Sequence, residues 1–141
     1  MREGRPLKLI LPLSLRAELL AHASGSPDRE ICGLLGGSAC TATSLYRVSN
    51  TAASPEDSFF MAPQEQIRAM RTMRERGEKL LAIYHSHPHA AALPSARDLA
   101  LAAYPGVGYL IVSLENPEVP AIGCFCFDGT MFHPLPLTAE G

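Results

Sequence analysis

The sequence predicts an α/β (α+β) fold, a mixed β-sheet packed between helices, and three observations carry that expectation. Apolar runs of strand length recur at 31–37, 79–84, 108–114 and 121–127. Helical signals lie between some of them, at 63–77 and 95–103. The chain has 141 residues, 47% hydrophobic and 18% charged. That is the composition of a single globular domain, here 1–141, and a chain of this size buries roughly two-thirds of its unfolded surface.

The first element is expected to be an amphipathic helix with Ser14 as N-cap and Leu15, Leu19 and His22/Ala23 along one stripe. Residues 31–37 (ICGLLGG) read as a buried strand entering a turn, 41–50 as a second strand, and 54–57 as loop. Pro63 is a favoured first helical position and Gly77 a C-terminal stop. In that helix Ile67, Met70 and either the stem of Arg71 or Met73 should face the core. Residues 79–84 form an apolar strand ended by Pro88, just after two histidines. Residues 95–103 form a short helix closed by Pro105, and 108–114 another apolar strand. Residues 121–127 and 131–137 suggest a hairpin around a two-residue turn, Asp128-Gly129. The order α-β-β-α-β-α-β-β-β calls for a mixed sheet with helices against it.

A formal charge of -2 provides no basic field for nucleic acid. No segment reaches the roughly 20 apolar residues that span a bilayer. Arg2, Arg5 and Lys8 before Leu9, Ile10 and Leu11 imitate a signal peptide, but Pro12, Arg16 and Glu18 interrupt its apolar stretch, and a cytoplasmic location is expected. Four cysteines (Cys32, Cys40, Cys124, Cys126) are too few for a disulfide scaffold and lack the C-x2-C spacing of a structural zinc site. Cys124 and Cys126 should share one face of a strand as small buried hydrophobes.

The chemistry concentrates between residues 85 and 98. Side chains alternate along a strand, so His85 and His87 leave the same face about 7 Å apart at their origins. Pro88 breaks the strand, the chain turns back through Ala90, Ala91 and Ala92, and Asp98 can return to the same spot. Two histidines and one carboxylate with an open fourth position form a catalytic zinc arrangement. Ser95-x-x-Asp98 also satisfies a helix capping box, and one aspartate can serve both roles. Ser86 should face away from the ion, Cys32 into the core, and His89 and His133 into solvent. From the residues alone Glu30 reads as a solvated group at the start of a strand.

His85-x-His87-Pro88-x6-Ser95-x-x-Asp98, preceded by an apolar strand and an upstream Glu30, resembles the JAMM motif of the MPN+ (JAB-domain) metallopeptidases. Residues 30–37 (EICGLLGG) resemble that family's opening strand. Asn50, Phe60 and Pro63 fall where bacterial members carry an Asn, an aromatic and a Pro before a helix. The resemblance covers residues 8 to 127 and implies a cytidine-deaminase-like JAB/MPN fold. It also implies zinc (Zn2+) held by His85, His87 and Asp98, Glu30 as general base, and Ser95 as hydrogen-bond donor to the developing oxyanion. Only nine residues separate Asp98 from the next strand, which leaves no room for the insertion with which eukaryotic relatives grip ubiquitin. The compact form resembles short prokaryotic members linked to ubiquitin-like sulfur carriers. The expected activity is therefore hydrolysis of a peptide or isopeptide bond at the Gly-Gly tail of such a carrier. Two other readings stand beside it. A non-catalytic MPN binding module would not need the full Glu, His, His, Ser and Asp set. A RadC-type DNA-repair relative shares the spacing, but the balanced charge and the lack of an upstream helical DNA-binding segment speak against it.

Overall fold

Alternation along one central strand sorts the molecule into two faces. In the computed structural model, which describes residues 8–102 and 104–140, that strand is β4 (Lys79–His87). Ala82 and Tyr84 join one core cluster, and Ile83 joins the other. The first cluster takes Leu15, Leu19 and Ala23 from helix α1 (Leu13–Ser24). The second takes Ala69 and Met73 from α2 (Pro63–Glu75). The sheet therefore lies between the two helices, as the sequence predicts. His85 and His87 continue the α2 face, whereas Ser86 continues the α1 face, as a period of two demands.

The remaining elements are β1 (Leu9–Ile10), β2 (Cys32–Ser38), β3 (Thr41–Val48), α3 (Ala96–Leu101), β5 (Gly108–Ser113), β6 (Ala121–Phe127), β7 (Phe132–Pro134) and β8 (Leu137–Thr138). They form one eight-stranded sheet, ordered β7-β6-β5-β4-β2-β3-β1-β8. It is mixed: β4–β5, β1–β3 and β1–β8 are parallel and the other pairs antiparallel. Cys124 and Cys126 both lie in the α1-side core, as expected of positions two apart on a strand.

Several local expectations are corrected. Helix α1 is preceded by Pro12, whose carbonyl accepts from Arg16 N–H at 2.9 Å, and Ser14 is not its cap. The fixed φ of proline suits the position before a helix, so the helix starts one residue before Ser14. On α2, Ile67 is 58% exposed, while Ala69 and Met73 are buried and Met70 is half-buried. The small Ala69 lets the helix approach the sheet on the stripe it shares with Met73, which turns Ile67 outward. The helix ends at Glu75, and Gly77 makes the reversal with φ of 72°. The hairpin between β6 and β7 closes on four residues rather than two, since Phe127 pairs with Phe132. Asp128 Oδ1 accepts from Thr130 N–H and Met131 N–H, a side-chain-built turn that replaces the tight one. The predicted last strand stops at Pro134, and only its final residue, Leu137, enters a further strand, β8. Neither β1 nor β8 pairing follows from the sequence pattern. Arg2 and Arg5 of the signal-like segment, and Ala103 at the expected end of α3, lie outside the described residues.

Candidate metal centre

β4 delivers two imidazoles to the sheet face under α2, and the chain then folds back to bring a carboxylate to them. His85 Nε2 and His87 Nε2 are 3.1 Å apart. Asp98 Oδ1 lies 3.1 Å from His85 Nε2, and Asp98 Oδ2 lies 3.1 Å from His87 Nε2. Lone-pair atoms this close repel one another unless a cation or a shared proton lies between them. Ligands about 2.0–2.2 Å from a tetrahedral zinc would be about 3.3–3.6 Å apart, so the cluster has the size of a metal site. Among the described residues these three alone form a group of this kind.

Each of the three side chains is fixed from behind. His87 Nδ1 is 2.9 Å from the Ala91 carbonyl, which only accepts, so Nδ1 carries the proton and Nε2 keeps its lone pair for the site. Phe59 stacks on His85 with ring centroids 4.5 Å apart. Asp98 belongs to a capping box: Ser95 N–H donates to its Oδ2 at 2.8 Å, and its own N–H donates to Ser95 Oγ at 3.0 Å. One side chain thus both completes the capping box of α3 and reaches the two imidazoles.

Electrostatics follows from this crowding. Burial would raise Asp98, but the close approach of the His85 and His87 imidazoles and a hydrogen bond from the Ser95 backbone hold it well below the usual carboxylate range. Burial lowers His85. For His87 burial is outweighed by Asp98, the Ala91 carbonyl and Glu30, and its pKa rises.

Glu30 is 4% exposed, not solvated. Cys32 pairs with His85, and Ile31 exchanges hydrogen bonds with Ser86, which carries Glu30 level with His87. Burial pushes its carboxyl up to about 7, opposed by the charge of His87. Its Oε1 is buried without a hydrogen-bond partner, as is His85 Nδ1. Ser95 is exposed at the rim, with its Oγ accepting from Asp98 and its O–H uncommitted to that bond. Cys32 is fully buried, donates to the Val48 carbonyl at 3.3 Å, and is pushed by burial up to about 12, so it is a core residue. His89 is exposed. His133 bonds to Asp128 at 2.6 Å, away from the centre.

Three contributors escape the spacing argument. Ser86 faces away from the imidazoles, yet its Oγ accepts from Ile31 N–H at 2.9 Å and so sets the start of β2 beside β4. Asn50 donates to the carbonyls of Glu30 and Ser58 and accepts from Ala52 and Phe60 N–H, tying the Glu30 backbone to the loop before α2. Phe59, not Phe60, is the aromatic at the site, since Phe60 is 60% exposed. An Asn preceding a loop that ends in two aromatics was the available signal for the last two.

A profile of prokaryotic homologs of the JAB domain matches residues 12–123. The chain belongs to this prokaryotic JAB-domain family. It is 37% identical to the desampylase of Haloferax volcanii over 115 residues, 77% of this chain and 83% of that protein. It is 30% identical to the CysO-cysteine peptidase of Mycobacterium tuberculosis over 119 residues, 84% of this chain and 82% of that protein. A solution structure of a protein from Desulfitobacterium hafniense, 35% identical, matches with a TM-score of 0.82 over 92% of this chain and 90% of that one. The JAB-domain match takes in Glu30, His85, His87, Ser95 and Asp98, and stops within β6.

Proposed function

We propose that this JAB-domain chain is a zinc-dependent peptidase. It would hydrolyse a peptide or isopeptide bond at the C-terminal tail of a ubiquitin-like, Gly-Gly-ended sulfur carrier, in the cytoplasm, with residues 1–141 acting as one domain. The observation that carries the reading is the convergence of His85, His87 and Asp98 beside a buried carboxylate with a bare oxygen. The relatives named desampylase and CysO-cysteine peptidase support the substrate class. The four cysteines are free, which fits a reducing compartment, and no helix among the described residues is long and apolar enough to cross a membrane.

His85, His87 and Asp98 would hold the zinc through the two Nε2 atoms and a carboxylate oxygen. When bound, zinc acidifies water and polarises the scissile carbonyl. Glu30 takes up the proton at its unpartnered Oε1 and returns it to the leaving amine; a carboxyl that burial brings near neutrality suits both steps. Ser95 donates its O–H to the oxygen that gains charge, because Asp98 N–H occupies only an acceptor site of its hydroxyl. Phe59 closes the ring face of His85 to solvent. The test is a carrier protein extended beyond its Gly-Gly tail. Protein with about one equivalent of zinc should release the extension, and chelated protein should not; full cleavage after chelation would overturn the reading.

A further inference from the structure

The tautomer of His87 depends on the Ala91 carbonyl, and Ala91 lies in a segment without regular structure between β4 and α3. Two residues of neighbouring strands seat that segment. Ser113 ends β5 opposite His87, is 5% exposed, and donates from Oγ to the Ala90 carbonyl at 2.6 Å. Its hydroxyl also accepts from Glu115 N–H at 3.2 Å, which fixes the direction of the O–H. One strand further on, Gly123 of β6 pairs with Ile111. A Cβ there would collide with the Ala92 carbonyl oxygen and lie 2.8 Å from Phe125 Cε1. The segment thus crosses β5 and lands on β6 where no side chain stands. The carbonyls of Ala90, Ala91 and Ala92 are consecutive: the first is held by Ser113, the last fits the space at Gly123, and the middle one faces His87.

We propose that Ser113 and Gly123 are positioning residues for the metal centre, which seat the Ala90–Ala92 carbonyls so that His87 presents Nε2 to the site. Ser113 neighbours His87 only through the strand pairing, and no side-chain bond described above joins either residue to His85, His87 or Asp98; both act through Ala91. The inference rests on the metal-site reading of those three residues. The carbonyl that accepts from a metal-bound histidine is worth about 10–100-fold in metal affinity, and Ser113 and Gly123 hold that carbonyl in place.

The experiment measures zinc dissociation constants by chelator competition, together with the melting temperature of the metal-free protein. It uses the wild type, Ser113→Ala, Gly123→Ala and Cys124→Ala. The last is a buried change on the opposite face of β6 and controls for simple loss of stability. Ser113→Ala and Gly123→Ala should bind zinc about 10–100-fold more weakly. Cys124→Ala should lower the melting temperature without changing zinc affinity. Should Gly123→Ala fail to fold, Ser113→Ala decides alone. Wild-type affinity in Ser113→Ala would overturn the inference while leaving the metal site intact, and so would an equal loss in Cys124→Ala. A wild type that binds no zinc would overturn the site reading itself, and this inference with it.

Discussion

At the scale of single residues, Glu30 carries two opposed demands. A buried carboxylate oxygen without a partner costs stability, yet the same oxygen is what a proton acceptor needs. Its carboxyl is raised from 4.5 to about 7, mainly by burial. The folded protein therefore holds a proton that the unfolded chain has released, and stability falls as pH rises from about 4.5 through about 7. In metal-free protein at pH 8, Glu30→Gln should be more stable than wild type by about 1–3 kcal/mol, and denaturant titrations should show the difference gone at pH 4. In zinc-loaded protein the same change should keep the metal and lower turnover by about 10²–10⁴. The acid limb of wild-type kcat/KM should have its midpoint at or below about 7, because a nearby cation only lowers the carboxyl. Near-native turnover in Glu30→Gln would remove the residue from the mechanism.

At the scale of elements, Asp98 joins the start of α3 to the histidines of β4, and two substitutions separate its roles. Asp98→Asn keeps an oxygen for Ser95 N–H but loses the charge, so metal content should fall while the helix stays capped. Asp98→Ala should lose both, with a further cost of about 0.5–2 kcal/mol in thermal or denaturant unfolding. Equal zinc in all three proteins would reduce Asp98 to a cap. What the sequence made legible follows the same division. His85, His87 and Asp98 are readable because a strand period of two and a helix N-terminus fix where their side chains go. β2, β4 and β5 are readable as unbroken apolar runs of strand length, and α2 from its Pro63 start and Gly77 stop. β1 and β8 are two residues each, too short for a period, and exist only because parallel neighbours pair with them. Glu30 looked solvated because the Ile31–Ser86 pairing that buries it is a contact 55 positions apart. Ile67 was misplaced because several registers of one helix bury an apolar stripe, and the sheet surface, not the helix, chooses among them.

At the scale of the whole molecule, the α1 side of the sheet holds a half-buried histidine contact that ties stability to pH. His22 Nδ1 lies 2.8 Å from the hydroxyl of the fully buried Tyr84. Burial, helped by Arg47, lowers His22 from 6.5 to about 4. Between those values the unfolded chain binds a proton that the folded one refuses, so stability is lost as pH falls through that window. After allowing for partial solvent exposure, the loss is on the order of 1 kcal/mol. Glu30 slopes the other way over much of this range, so in a Glu30→Gln background His22→Gln should flatten the stability profile between pH 6.5 and 4, and an unchanged slope would assign the acid sensitivity elsewhere.

The pairing of β1 with β8 has a mechanical meaning. Leu9 and Leu137 sit side by side in parallel strands, joined by bonds from Leu9 N–H to the Pro136 carbonyl and from Leu11 N–H to the Thr138 carbonyl. Tension applied through the two ends of the described chain pulls these strands lengthwise past each other. Both bonds are then strained together, as in a clasp under shear, rather than unzipped in turn. Between that clasp and β4 lie β3 and β2. A tug on the ends is therefore spent on the far edge of the sheet before it reaches the strand that carries the histidines.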